Sequence, residues 1–173
     1  MSEKVKGLIG YCGLSDWWLS TFTQEERRFI NSTYEIWGFA PEPLTKGDFQ
    51  GWSGTPADVL AGMVGTLADK SEYLHLIDPI ISKAESATQG QRDVLGLHFA
   101  YHTAIKVAYR LRDKNPIALE TAIRMCEKQI ELAPKAAKQF KRENPTEGLP
   151  AHVGYTQLVI IREKQKDYPT AIR

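Results

Sequence analysis

From Thr55 to Lys166 the apolar residues of this 173-residue chain recur at three- and four-residue intervals, and no segment alternates apolar with polar residues long enough to build a sizeable sheet. That periodicity confines the chain to helices packed on helices. Turn signals then cut it into pieces of helix-hairpin size. Thr55-Pro56 opens the first piece, with the threonine as N-cap and the proline at the first helical position, where its missing N–H costs nothing. Val59, Leu60, Met63, Val64 and Leu67 follow at helical spacing. A second helix is expected over 72–87 through Leu74, Ile77, Ile80, Ile81 and Ala84, with Pro79 placed to kink or split it. Gln89-Gly90 breaks the pattern before a long helix over 91–112, whose apolar side reads Leu95, Phe99, His102, Ile105 and Tyr109. Asp113-Lys114-Asn115-Pro116 is a turn in which Asn115 caps the next helix, carrying Leu119, Ala122, Ile123, Cys126 and Ile130 toward Pro134. Residues 135–142 add a turn or two, 144–150 form a loop, and 151–166 form a further helix. Tyr168-Pro169 starts one more.

Residues 1–54 are less regular and read as an aromatic-rich capping segment with one helix. Thr23 followed by Glu26 is a capping box, and the helix it starts is expected to run to about Trp37, with Phe22, Phe29, Ile30, Tyr34 and Trp37 as its apolar contacts. Pro41, Pro43, Gly47 and Gly51 mark 38–54 as a loop with extended pieces, and short pairing inside 5–14 or 44–52 is allowed. The expected fold is therefore all-α, with residues 55–173 as helix hairpins behind that segment.

The charge is uneven although the total is +1: 7 Lys/Arg stand against 12 Asp/Glu up to Gly90, and 15 against 9 after it. Opposite halves of this kind can meet within one molecule, pair two molecules, or leave the basic half for an acidic ligand. Cys12 and Cys126 form neither a Cys-x-x-Cys pair nor a disulfide framework, which fits a cytoplasmic protein. The opening residues make no convincing export signal, and no run approaches the roughly 20 apolar residues that span a bilayer, so no membrane partner is expected.

The order Tyr155, Leu158, a turn over 164–168, Tyr168 and Ala171-Ile172 resembles the first helix, turn and second-helix start of a tetratricopeptide (TPR) repeat. Val159 and Arg162 depart from that motif. Ala122-Ile123, Cys126 and Pro134 resemble a second helix with its terminating proline, preceded by His102, Ile105 and Tyr109, and residues 57–88 resemble a more worn copy. The opening Gly13-Leu14-Ser15-Asp16-Trp17-Trp18 is similar to the aromatic start of bacterial proteins that carry TPR-like helices. The resemblance implies a right-handed array of hairpins, an incomplete last repeat, and a partner protein or peptide held on the concave side. It places Thr103, Val107 and Arg110 of one first helix, and Thr156, Ile160, Glu163 and Lys164 of the next, on that concave surface. Because Pro169 to Arg173 is too short to cover Tyr155, Leu158, Val159 and Ile161, either a longer natural chain or a homodimer through the last helices is expected.

No cofactor is implied, and the remaining constellations are weak. His98 and His102 are four apart, but neither the glutamate of a His-Glu-x-x-His motif nor a third ligand accompanies them, so no metal site is expected. Cys12 lies among glycines without an adjacent base. Asp16, Trp17, Trp18 and Trp52 offer aromatic walls with a carboxylate, an alternative pocket for a small cationic or sugar-like ligand or an enzyme site, against the reading that they are simply a capping core. Lys135, Lys138, Lys141 and Arg142 form a basic run that reads as a solvated helix face, so no nucleic acid partner is expected.

Overall fold

The computed structural model describes residues 5–89, 93–167 and 169. Among these the protein is all-helical, with eight α-helices, one 3₁₀ segment and no strand. The positions named above as Tyr168, Ala171 and Ile172, and the Gly90 break, lie outside the described residues.

Helices α1 (Gly7–Tyr11), α2 (Ser15–Thr21) and α3 (Gln24–Thr33) make up the N-terminal segment, where one helix was expected. The first two are 5 and 7 residues long, too short for helical periodicity to register. No strand pairing forms inside 5–14 or 44–52; instead the N–H groups of Leu8 and Ile9 at the start of α1 donate to the carbonyls of Pro43 and Leu44, both at 3.0 Å. These bonds supply partners that an isolated helix start lacks. The Thr23–Glu26 capping box forms as read. The helix stops at Thr33 rather than Trp37, because the backbone of Tyr34 turns extended and carries its ring inward, while Ser32 and Thr33 bond back to the Phe29 carbonyl. Trp37 is left 99% exposed and contributes nothing to the core.

Helix α4 (Pro56–Gly65) begins with Thr55 and Pro56 as read, and Asp58 completes a second capping box. The 3₁₀ segment Ser71–Leu76 then leads into α5 (Ile77–Thr88). Pro79 falls in the first turn of α5, where it removes no intrahelical hydrogen bond. Helix α6 (Val94–Arg110) is capped by Asp93, whose side chain accepts from the Gly96 N–H at 2.9 Å. Helix α7 (Ala118–Glu143) runs for 26 residues straight through Pro134, which was read as its end. An interior proline costs about 3 kcal/mol, and burial on both sides of it offsets the penalty: Ala122, Met125, Cys126 and Gln129 before it, Ala136 after it. Gln139, beyond the proline, also accepts from the Val94 N–H at 3.0 Å and ties the far half of α7 to the start of α6. Helix α8 (Val153–Lys164) completes the described helices.

Side-chain pairs fix the directions. Gly96 lies against Ala57, so closely that a Cβ on Gly96 would come within 2.8 Å of the alanine Cβ, and Gly65 lies beside Thr103; α4 and α6 therefore run the same way. The His98 ring meets His152 at the start of α6 and α8, and Lys164 donates to the Tyr109 hydroxyl at their ends, so these two are also parallel. Tyr101 donates to Glu85 and Asn115 to the Ser71 carbonyl, which sets α5 antiparallel to α6. Arg124 with Asp78 and Lys128 with Glu85 join α7 to α5 side by side. The result is consecutive hairpins: α4, α6 and α8 neighbour one another in one layer, with α5 and α7 behind them. One continuous core, from Leu8 to Ile161, joins this stack to the N-terminal segment.

Candidate functional site

At about 100° per residue, α6 divides into four faces. Gly96, Ala100, Thr103 and Val107 turn toward α4; His98, Ile105 and Tyr109 toward α8; Leu97, Tyr101, Ala104 and Ala108 toward α5 and α7. Three covered sides explain why the simple apolar stripe misreads this helix. Phe99, placed in the stripe, is 44% exposed, whereas the alanines carry much of the burial. The fourth face holds Phe99, Lys106 and Arg110 and opens to solvent.

Of the residues assigned to a concave surface, Thr103, Val107 and Arg110 line one shallow concavity with Gly65, Ala68, His102 and Lys106. Val107 is buried in its wall, and Arg110 already pairs with Asp69 at 2.6 Å. Lys106 is exposed on the same face and was not singled out from the sequence. On α8, Thr156, Ile160, Glu163 and Lys164 are all exposed. Thr156 uses its hydroxyl on the His152 and Val153 carbonyls, and Lys164 sits 5.7 Å from the Tyr109 ring centre, opposite Arg112 at 4.2 Å.

The N-terminal tryptophans pack against neighbours rather than around a shared cavity. Trp17 and Trp18 meet Phe22 edge-on at 5.1 and 5.3 Å, and Trp52 meets Tyr11 at 6.0 Å. Trp18 is buried, Trp17 and Trp52 are half-buried, and Asp16 is exposed at the start of α2. The concavity beside them is lined by α1 and the 47–49 turn and includes neither Asp16 nor these tryptophans. Burial, with Asp58 adding repulsion, pushes the Cys12 thiol up to about 11, and burial pushes Cys126 up to about 12. Neither thiol is ionised near neutral pH, as a nucleophile would require.

A different cleft opens where α6, α7 and the start of α8 converge. Its cavity is about 200 Å³, open on one side, and its walls include Leu95, Phe99, Ala136 and Phe140. His98 and His152, from α6 and the cap of α8, line it with their ring centres 5.1 Å apart. The sequence paired His98 with His102, but His102 turns to the concavity beside Lys106, and among the described residues no cluster of three metal-ligating side chains forms. His152 lies 54 positions from His98, and nothing in the sequence signals their meeting. Gln129 fastens the junction from α7: its amide donates to the His98 carbonyl at 3.0 Å and accepts from the Gly154 N–H at 2.7 Å. Burial, with His152 and His102 nearby, lowers the His98 pKa to about 4; burial also lowers His102 and His152.

Among the described residues no helix is long and apolar enough to cross a membrane. Comparison of the chain with protein-family models, with curated proteins and with solved structures found no match.

Proposed function

We propose that the protein is an interaction module whose open layer face, made by α4, α6 and α8, holds an extended or helical segment of another protein. The observation behind this reading is the parallel order of these three helices, which leaves Phe99 and Ile160 exposed beside Lys106 and Lys164. A TPR-like array has the same logic: hairpins too small to fold alone stack, and their first helices line a shared surface. Apolar side chains flanked by lysines suit a segment with apolar anchors and acidic residues. Within that groove Lys106 and Lys164 carry the attraction, because Arg110 is engaged by Asp69.

The test is selection of peptides against the whole chain from a random display library. Acidic peptides with apolar anchors are expected, and Lys106→Glu combined with Lys164→Glu should weaken the best of them at least about tenfold, an effect that shrinks in high salt. Selected peptides that bind the double variant as well as the wild type would refute the reading.

A further inference from the structure

The cleft at the convergence of α6, α7 and α8 carries a second assignment, sharing Phe99 with the open face. Alanines 133, 136 and 137 of α7 leave the space, and Leu95, Phe99 and Phe140 wall it. The ionisable side chains lining it are His98, His152 and Tyr155, with no aspartate or glutamate among them. His98 is only 5% exposed, and its Nδ1 has no hydrogen-bond partner; the Nε2 of His152 has none either. The other nitrogen of each ring is occupied. His98 Nε2 faces the Gln129 amide nitrogen at 3.5 Å, and His152 Nδ1 accepts from the Tyr155 N–H at 3.4 Å. In the neutral rings these contacts put the protons on the two unpartnered nitrogens, so both are donors in search of an acceptor. A buried donor left unpaired is costly, and a ligand oxygen would recover that cost.

We propose that this cleft binds a small carboxylic acid with an apolar body, the body against the alanines and phenylalanines and the carboxylate received by His98 and His152. A carboxylate has two oxygens for two donors, and the small volume of the cleft limits the ligand to a short apolar body. The head group reaches the nitrogens by a turn of the half-buried His152 ring, which the long Tyr155 contact holds only weakly. Among the described residues no carboxylate lines the cleft to repel an anion, and α7 presents no charged group to it.

Sodium octanoate, titrated calorimetrically near neutral pH with octanol as its neutral twin, tests the assignment. One octanoate per chain is expected, at least about fivefold tighter than octanol, with shifts in the His98 and His152 ring signals by NMR. His152→Phe should bring the two ligands within about twofold, and Ala137→Trp should abolish both, with thermal unfolding confirming that each variant folds. A preference below fivefold, ring signals that do not move, or octanoate binding that survives a folded Ala137→Trp variant would overturn it.

Discussion

The two ends of the helix stack are finished differently. At the α4 end the N-terminal segment folds over the layer: Ile30, Trp18 and Phe22 are buried, and Tyr34 lies flush on Gly62, where a Cβ would fall 2.6 Å from its ring. At the α8 end only Gly154 and Ile161 are buried, while Tyr155, Val159 and Ile160 stay 49, 37 and 41% exposed. Composition accounts for part of the difference, since α8 carries Arg162, Glu163 and Lys164 where α4 has Asp58 alone, and neighbours account for the rest. A helix in a stack needs cover on both sides, and the N-terminal segment supplies it for α4. The aromatic residues that invite a ligand-pocket reading pack there as that cover.

The largest test of this contrast is truncation of one isoleucine at each end. Ile30→Ala should cost about 2–5 kcal/mol in urea unfolding, whereas Ile160→Ala should stay within about 0.5 kcal/mol. Equal losses would mean that α8 is covered as α4 is.

The acid response is the next largest and reports on the α8 end. His98 titrates near 4 when folded against 6.5 when free. Below about pH 6.5 the unfolded chain binds the proton more readily, so stability present above that pH is lost as pH falls toward 4. The loss from this group should reach about 2–3 kcal/mol. His98→Leu should flatten that part of the stability profile, and a profile unchanged by the substitution would contradict the buried, neutral state of the ring.

How much of this was legible in the sequence follows from the same contrast. The Thr23–Glu26 box and the Thr55-Pro56 start are local devices that appear where the sequence puts them, whereas at Asn115-Pro116 the Asn115 side chain accepts from the Ile117 N–H and α7 begins only at Ala118, with Ile117 in the cap position. Local reading fails where a distant neighbour decides. The burial of Ala100, Ala104 and Ala108 depends on α6 being enclosed on three sides, and α7 continues through Pro134 because α6 holds its far half through Gln139. Of the groove residues, Thr103 and Arg110 reach one concavity with Val107 in its wall, but the engagement of Arg110 by Asp69 and the openness of Lys106 require the fold. The His98–His152 cleft depends wholly on tertiary packing, since α8 docks parallel to α6 across an intervening helix.

A smaller effect concerns self-association. The exposed Tyr155 and Val159 are proposed to pair two copies through α8 in a closed arrangement. Sedimentation over a concentration series should show a weak dimer that Val159→Lys removes without changing thermal stability. A wild-type chain that stays monomeric throughout would show that this end is left open in solution.

The most direct test of the open face is a photo-crosslinking map with the tightest peptide from the display selection. Benzoylphenylalanine is introduced in turn at Thr103 on α6, at Thr156 on α8, and at Glu120 on the exposed surface of α7 in the opposite layer. Crosslinks from Thr103 and Thr156, competed by unlabelled peptide, with none from Glu120, are the expected result. Specific crosslinks from Glu120 alone would place the partner on the other layer and contradict the assignment of the open face.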